Sequence, residues 1–262
     1  MKEQFAVFGS DARQAAAGRA LARAGYAVGG AEQLATADYL LLPMPLDAQQ
    51  LGLCRLLRAA KPGALALGGL PGPDACRIAQ QCGIELVDYY QEPLALRNAV
   101  PTAEGCIGLL LRHRTRTLAG SPVLVLGFGR VGQALAVRLA ALGARVTLAA
   151  RSPAQRAHAQ SLGMTAVPLT CLPALAPGFD TVVNTVPAPV LTRKVLAQLP
   201  PSALIVDLAS RPGGTDFAAA AQLGHTALHA LRLPALCAPD SAGEAVAQTV
   251  LEILEERRMR NG

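Results

Sequence analysis

The sequence predicts an α/β protein made of two doubly wound parallel-sheet domains joined by a connector helix. Two features carry this prediction. Short apolar, β-like runs alternate with helical stretches along most of the chain, which is typical of parallel sheets covered by helices. The alternation is lost once, over residues 88–100, and then resumes. A chain of 262 residues is long enough for two domains of about 100–150 residues each.

The composition is that of a globular protein rather than of a membrane or disordered one. Hydrophobic residues make up 52% of the chain and charged residues 16%, and no apolar stretch reaches the ~18–20 residues that a membrane span needs. Asp11 interrupts the N-terminal segment before a long apolar region develops, so no signal peptide is expected. We therefore expect a cytoplasmic protein that does not associate with a membrane.

The cysteine and charge patterns argue against a metal site and against nucleic-acid binding. The six cysteines are scattered without a C-x-x-C pair, which favours reduced, buried thiols over disulfides or zinc. The net charge is +6, but the arginines are dispersed, Trp is absent, and there are only 5 Phe and 4 Tyr. Because little material is available for stacking bases, we expect neither a metal nor a nucleic-acid partner.

The first half contains the elements of one small parallel-sheet domain. Strands are predicted at residues 4–8, 39–42, 64–67 and 84–87, and helices at residues 11–24, 47–60 and 73–82. Gly25, Gly63 and Gly83 stand where the C-terminal caps of these helices belong. This domain is predicted to cover residues 1–100.

A connector helix is predicted to follow. Pro101, Thr102 and Glu104 have the proline and acidic residue that the first turn of a helix prefers, and the helical pattern runs to about residue 113. The connector is therefore assigned to residues 101–117.

The second half begins again with an apolar run, PVLVL at residues 122–126, suited to a strand buried on both faces. Further strands are predicted at 145–149, 165–167, 181–184, 204–207 and 226–229, with helices at 130–142, 153–162, 192–198 and 216–223. This second domain is predicted to cover residues 118–240. The capping-box spacing of Ser241 and Glu244 predicts a last helix over 241–258, which we expect to complete the first domain.

The strongest chemical signal is the glycine pattern GFGRVG at residues 127–132, between the predicted strand PVLVL and the next helix. In this position the first glycine permits a tight turn, the second lets the backbone approach a pyrophosphate, and the third lets helix and strand pack closely. The pattern predicts a Rossmann dinucleotide-binding domain; the alternative is that the glycines only pack the crossover. The predicted cofactor contacts here are Gly127, Phe128, Gly129, Arg130, Val131 and Gly132.

The end of the next strand indicates which dinucleotide is bound. An NAD site usually has an acidic residue there, whereas this strand ends in Arg151 and Ser152, with Arg156 one helical turn later. These residues suit the 2′-phosphate of NADP, so NADP is predicted, with NAD possible. The alternative is that Ser152 only caps a helix and Arg151 is a solvated loop residue.

Several motifs together resemble the A-subunit family of dipicolinate synthase. They are GSDARQ at residues 9–14, NAVPTAEG at 98–105, VLGFGRVG at 125–132, NTVP at 184–187 and DLASRPGGTDF at 207–217. The last is the most specific, since the glycine fingerprint alone occurs in many dehydrogenases. Two departures are a shorter segment between Ala27 and Pro45 and the run Leu231–Ala235, where the family has a glycine-rich loop.

The resemblance implies the NADP- or NAD-dependent oxidation of a dihydrodipicolinate-type intermediate to dipicolinate, in the mother cell of a spore former. It also implies a partner, a flavoprotein-like B subunit. A homo-oligomer is left open. Two other classes stay open as well: a 2-hydroxy acid or shikimate-type dehydrogenase, and an NADP-binding regulatory or scaffold subunit.

Such a reaction needs groups that hold two carboxylates and accept a proton, and loops at strand ends are the places to seek them. Asp11, Arg13 and Gln14 follow the first strand and are predicted to face the substrate, Arg13 by pairing with a carboxylate. The alternative is a helix capped by Asp11 with Arg13 solvated. We expect Arg13, Thr102 and Arg211 to converge on one substrate.

Asn98, Thr102 and Glu104 are predicted at the start of the connector helix, where free amides and the helix dipole favour an anion. Asn98 and Thr102 are assigned to the substrate and Glu104 to catalysis. The alternative is that Thr102 and Glu104 only stabilise the helix end.

Two loops of the second domain complete the prediction. Thr185, Val186 and Pro187 are expected to line the nicotinamide ribose, and Asp207 ends the following strand as a further cofactor contact. The loop after Asp207 is predicted to contribute Ser210 and Arg211 to catalysis, and Gly213 and Gly214 to the substrate. Plain turns remain the alternative for both loops. Among the histidines, only His229 lies at a strand end where it could accept a proton.

Overall fold

The computed structural model describes residues 2–261, and in this range eleven strands alternate with helices. The strands are β1 (Gln4–Val7), β2 (Ala27–Gly29), β3 (Tyr39–Leu41), β4 (Leu65–Gly68), β5 (Glu85–Asp88), β6 (Pro122–Leu126), β7 (Arg145–Ala150), β8 (Thr165–Pro168), β9 (Thr181–Asn184), β10 (Leu204–Asp207) and β11 (Thr226–His229). All the pairings between these strands are parallel.

The α-helices fill the connections between strands. They are α1 (Ala12–Arg23), α2 (Leu53–Arg58), α3 (Pro73–Gln81), α4 (Glu92–His113), α5 (Arg130–Ala141), α6 (Pro153–Ser161), α7 (Leu172–Leu175), α8 (Arg193–Leu196), α9 (Phe217–Gln222), α10 (Leu233–Cys237) and α11 (Pro239–Asn261). Short 3₁₀ turns lie at Ala31–Gln33, Leu169–Cys171 and Ala176–Gly178.

The chain forms two compact units. One contains the chain up to Asn98 and from Ala238 onward, and the other contains Ala99–Cys237. The first unit has the sheet order β2-β1-β3-β4-β5, and the second has β11-β10-β9-β6-β7-β8. Both orders reverse direction beside a central strand, β1 or β6, as in doubly wound folds. The predicted fold class is confirmed.

Each sheet is buried on both faces, which explains the continuous apolar runs in its strands. In β6, Val123 and Val125 pack into one hydrophobic cluster, whereas Leu124 and Leu126 pack into another on the opposite face. All four side chains are fully buried. Because burying such a side chain contributes roughly 1.5–3 kcal/mol, central strands of this kind anchor the loops at their ends.

The C-terminal helix α11 packs against α1 within the first unit. Val246, Val250 and Leu254 lie in the same apolar cluster as Phe5 and Leu21. The two helices cross closely at Gly243, where a Cβ atom would lie 2.4 Å from the Arg13 carbonyl oxygen. The helix begins at Pro239, so the predicted start at Ser241 is wrong, and Ser241 lies inside the first turn.

The largest error in the predicted elements concerns the connector helix. It begins at Glu92 and not at Pro101, which lies inside α4. Proline lacks an N–H group, so the carbonyl of Arg97 receives no helical hydrogen bond from residue 101. The helix continues because Leu94 packs into the core of the first unit and Cys106 and Leu110 into that of the second.

Two smaller errors have local causes. Strand β2 was not predicted because it has only three residues, all half-buried, and lies at the edge of its sheet. The helix predicted over 47–60 is confined to Leu53–Arg58. Asp47 accepts hydrogen bonds from the backbone N–H groups of Gln49 and Gln50, which forms a turn, and Gly52 adopts φ +62°.

Candidate functional site

The glycine turn between β6 and α5 has the geometry of a phosphate-binding loop. Gly127 adopts φ +89°, and a Cβ atom there would lie 2.5 Å from Thr185 Oγ1. A Cβ atom at Gly132 would lie 2.3 Å from the Gly127 carbonyl oxygen, so this glycine permits the close packing of α5 on the turn. Gly129, the N-cap of α5, faces open space, since a Cβ atom there would meet no atom within 4 Å.

A cavity of about 180 Å³ lies over this turn, beside the strand at which the sheet order reverses. It brings together these predicted cofactor residues: Gly127, Phe128, Gly129, Arg151, Thr185, Val186 and Pro187. Gln155 and Leu169 also line it, and neither was predicted as a cofactor contact. A neighbouring apolar groove of about 340 Å³ is lined by Arg151, Leu169, Leu172 and Val190 among others, and it shares Arg151 and Leu169 with the cavity.

Several of the remaining predicted cofactor residues do not line this cavity. Arg130 and Val131 lie in the first turn of α5 and Gly132 packs against the glycine turn, and none of the three lines the cavity. Phe128 lines the cavity, although its side chain is fully buried, so only its backbone is available there.

The cluster predicted to select NADP divides by role. Ser152 is the N-cap of α6 and accepts a hydrogen bond from the backbone of Gln155 at 3.5 Å. Arg156 Nη1 donates to the carbonyl oxygens of Ala150 at 2.9 Å and Arg151 at 2.6 Å, so this side chain stabilises the turn. Arg151 is exposed and lines both the cavity and the groove.

Asp207 does not reach the cavity, so its assignment as a direct cofactor contact is wrong. Its side chain is fully buried and accepts four hydrogen bonds, from Asn184 Nδ2, Thr215 Oγ1 and the backbone N–H groups of Ala209 and Gly214. The carboxylate therefore organises the loop that follows it. The sequence did not indicate Asn184 or Thr215 as its partners: Asn184 ends the neighbouring strand β9, and Thr215 lies eight residues beyond Asp207.

Gly213 and Gly214 pack against this buried cluster. Gly213 adopts φ +87°, and at Gly214 a Cβ atom would lie 2.5 Å from both Asn184 Nδ2 and the Val186 carbonyl oxygen. Both glycines are buried, whereas Ser210 and Arg211 on the same loop are exposed. His229 Nε2 lies 2.9 Å from the Ala209 carbonyl oxygen, and since that oxygen can only accept, Nε2 is the protonated nitrogen.

The predicted anion site at a helix start is wrong for Asn98, Thr102 and Glu104. All three lie in the interior of α4, where the backbone N–H groups are used by the helix and no terminal dipole is available. Asn98 is buried, and the exposed Glu104 carboxylate lies 3.6 Å from Arg138 Nε.

In the first unit, the loop after β1 is cross-linked to its neighbours. Asp11 caps α1 and forms a bidentate ion pair with Arg13, which is only 12% exposed and also donates to the Met44 carbonyl oxygen. Gln14 Nε2 donates to the Leu42 carbonyl oxygen at 2.6 Å. Arg13 is therefore neither solvated nor free to pair with a substrate carboxylate without giving up these bonds.

A second donor reaches the same backbone oxygen. The buried Tyr89 hydroxyl donates to the Leu42 carbonyl at 3.0 Å, and burial raises the pKa of this phenol well above its usual value. Tyr89 therefore stays protonated and the bond persists over the physiological pH range. These bonds hold the loops after β1 and β3 together.

We expect Arg13→Ala to destabilise the first unit by about 2 kcal/mol, because it removes the guanidinium group that donates to the Asp11 carboxylate and to the Met44 carbonyl oxygen. Urea denaturation of the full chain would show this as a lower midpoint. The control is Arg77→Ala, since Arg77 forms an exposed pair with Asp74 (side chains 64% and 66% exposed) and should change stability by less than about 0.5 kcal/mol. Equal effects of the two changes would contradict this role for Arg13.

The structure shows no metal-binding arrangement within residues 2–261: no three His, Cys, Asp or Glu side chains are grouped so that they could hold an ion. The six cysteines are free thiols, but the prediction that they are buried is correct only for Cys106, and Cys76 and Cys237 are exposed. In the described part of the chain, no helix has the length and hydropathy of a membrane span.

The second unit matches a known type of nucleotide-binding domain. Residues 108–221 fit the family described as D-isomer specific 2-hydroxyacid dehydrogenase, NAD binding domain. Together with the glycine turn and its cavity, this match defines the class: the chain is a two-unit α/β protein that carries an NAD-binding domain of the dehydrogenase type.

Relatives of the whole chain specify the family. The crystal structure of the dipicolinate synthase A chain from Bacillus subtilis is 30% identical, with 99% of this chain and 98% of that chain covered and a TM-score of 0.85. The corresponding dipicolinate synthase structure from Bacillus halodurans is 28% identical, with coverages of 96% and 97% and a TM-score of 0.85. The chain belongs to the A-subunit family of dipicolinate synthase, which confirms the resemblance found in the sequence.

A curated relative gives a shorter alignment. The dipicolinate synthase A-subunit of Bacillus subtilis (strain 168) is 40% identical over 186 residues, which is 71% of this chain. The alignment spans 63% of the length of that relative.

Proposed function

We propose that the chain is an NADP-dependent oxidoreductase that oxidises a dihydrodipicolinate-type intermediate to dipicolinate. The observation that carries the proposal is the open space in front of Gly129 at the start of α5, in a chain of this family. In this reaction the dihydropyridine ring loses a hydride and a proton and becomes aromatic. Because aromaticity is gained, the group that receives the proton need not be a strong base.

The residues around the cavity fit a dinucleotide. The first N–H groups of α5 and the bare backbone of Gly129 would hold the pyrophosphate, and the side of the cavity formed by Thr185, Val186 and Pro187 would receive the nicotinamide ribose. The neighbouring apolar groove is lined suitably for the adenine ring. When bound, the nicotinamide supplies the acceptor for the hydride.

The substrate would be held from the loop after β10. Arg211 and Ser210 are exposed there, and a guanidinium group can pair with a carboxylate through two hydrogen bonds. His229 supports this loop through Ala209, and its Nδ1 is the ring nitrogen not engaged by that carbonyl oxygen. We assign Arg211 and Ser210 to substrate contact and His229 to the candidate proton acceptors.

Arg151 is proposed to favour NADP over NAD. It is an exposed cation at the cavity, and it follows the end of β7, where an NAD site usually has an acidic residue. Because Arg151 is exposed to solvent, its contribution to binding is modest. We expect Arg151→Asp to lower the affinity for NADP by about 5–10-fold relative to the affinity for NAD, roughly 1–1.4 kcal/mol. Fluorescence titrations of NADPH and NADH give the ratio of the dissociation constants. An unchanged ratio would mean that the 2′-phosphate is not read by Arg151.

The proposal extends to a partner and a setting. Because the relatives are A-subunits by name, we propose that the partner of this chain is a B subunit, with dipicolinate made for the spore in the mother-cell cytoplasm. The decisive assay combines the purified chain, NADP or NAD and dihydrodipicolinate generated in situ, with and without the B subunit. Dinucleotide reduction by the chain alone supports the proposal; binding without reduction in both cases would support a regulatory subunit.

A second candidate function is a 2-hydroxy acid dehydrogenase, favoured by the match of residues 108–221. Such an enzyme needs a firm acid–base group, and His229 is the histidine nearest to the loop that carries Arg211. Assays that follow the reduction of NAD or NADP with lactate or glycerate as the substrate would detect it. Turnover of these substrates but not of the dihydropyridine would replace the first proposal.

A further inference from the structure

Two loops of the second unit are joined into one body by a buried carboxylate. The first is the 184–191 segment after β9, which lines the cavity, and the second is the 208–216 segment after β10, which carries Ser210 and Arg211. Asp207 lies fully buried between them. Its Oδ1 accepts from Asn184 Nδ2 at 3.0 Å on the first side, and its Oδ2 accepts from Thr215 Oγ1 at 2.7 Å on the second.

Backbone contacts extend this connection. The Gly214 carbonyl oxygen accepts from the N–H groups of Val190 at 3.0 Å and Leu191 at 2.9 Å, and Asp216 N donates back to the Leu191 carbonyl. Asn184 forms two further hydrogen bonds with the backbone of Val186. Gly214 has no room for a side chain, because its neighbours are Asn184 and the carbonyl oxygens of Val186 and Ala188. Neither segment can shift without moving the other.

We propose that Asp207 is a positioning residue that couples the dinucleotide cavity to Arg211. This inference rests on the proposed function. A ligand that contacts residues 185–187 orders one segment, and the buried carboxylate transmits that order to the loop that presents Ser210 and Arg211. The energetic consequence is reciprocal: bound dinucleotide strengthens dicarboxylate binding, and the dicarboxylate strengthens dinucleotide binding by the same factor.

The test removes one bond from the carboxylate and leaves the fold intact. Asp207→Asn would place an amide donor against existing donors and risks unfolding. Thr215→Val has nearly the same shape and loses only the hydroxyl that donates to Asp207, while Thr215→Ser keeps it. Asp216→Ala is the control for stability, because Asp216 caps α9 through Ala219 and forms no side-chain bond to Asp207.

Calorimetry would measure the affinity of pyridine-2,6-dicarboxylate, the product of the proposed reaction, with and without saturating NADPH. We expect the parent and Thr215→Ser to bind the dicarboxylate at least about fivefold more tightly with saturating NADPH than without it. Thr215→Val should reduce this factor to near one, with NADPH affinity changed less than threefold. Asp216→Ala should lower the melting temperature and keep the coupling.

The outcomes separate the two proposals. A parent protein that binds neither ligand contradicts the proposed function and with it the coupling. A parent that binds both ligands without coupling, or a Thr215→Val variant that keeps the full coupling, overturns the role of Asp207 and leaves the proposed function standing. Loss of coupling in Asp216→Ala as well would show that lower stability, and not the Asp207 bond, causes the effect.

Discussion

Replacement of Gly129 by valine should abolish dinucleotide binding and leave the protein folded. Gly129 has an extended backbone, φ −81° and ψ −166°, that valine adopts without strain, and an added Cβ atom would meet no protein atom. The new side chain would instead occupy the space in front of the first amides of α5, where the pyrophosphate is proposed to lie. We expect affinity for NADPH to fall at least about 100-fold, which is about 2.7 kcal/mol.

Gly132 provides the matched contrast. A Cβ atom there would lie 2.3 Å from the Gly127 carbonyl oxygen, so Gly132→Val must displace α5 from the turn and should lower the unfolding temperature. Calorimetric titration and circular dichroism on both variants separate loss of a ligand site from loss of structure. NADPH affinity within about threefold of the parent in a folded Gly129→Val protein would place the dinucleotide elsewhere.

The contrast between these glycines shows how much the sequence could supply. The pattern GFGRVG, placed after an apolar run, predicted three different roles for its glycines, and the structure has the turn, the open position and the close packing in that order. This succeeded because each role depends on the absence of a side chain next to local backbone. Central strands such as β6 were predicted for a similar reason, since burial on both faces leaves a continuous apolar run.

Long-range partners were not accessible in the same way. A polar residue at the end of an apolar strand can contact a ligand or hold the loop that follows. The sequence around Asp207 is compatible with either role. Its buried bonds to Asn184 and Thr215 depend on how two loops meet in space. Arg13 shows the same limit, because its pairing with Asp11 is local but its bond to Met44 crosses 31 residues.

Pro101 shows a different limit. Proline followed by Thr102 and Glu104 favours a helix start, yet the helix begins nine residues earlier because its apolar face is packed along its length. Tertiary packing outweighs the cost of an interior proline, which is about 3 kcal/mol or more. The anion site was therefore predicted at the wrong place because the helix boundary was wrong; the rule that helix starts favour anions was not the source of the error.

Replacement of Arg211 by alanine is expected to impair use of the dicarboxylate and to spare the dinucleotide. Arg211 is exposed, and the backbone of its loop is held by hydrogen bonds from Ala209 and Gly214 to Asp207. Removing the Arg211 side chain therefore removes a charge and leaves these hydrogen bonds in place. One charge-assisted pair contributes about 1.5–3 kcal/mol, so kcat/KM for the dihydropyridine should fall roughly 10–150-fold. NADPH affinity should change by less than about threefold.

Two further variants make this expectation specific. Arg211→Lys keeps the charge but loses the planar pair of donors, so it should recover only part of the activity. Arg145→Ala removes an exposed arginine from the first residue of β7, at the opposite end of the same sheet, and should leave both affinities unchanged. Steady-state kinetics with substrate generated in situ, beside NADPH titrations, would measure all three. If Arg211→Ala turns over the dihydropyridine like the parent, the substrate is not held by this loop, and the carboxylates must be bound by groups other than the exposed cation that Asp207 supports.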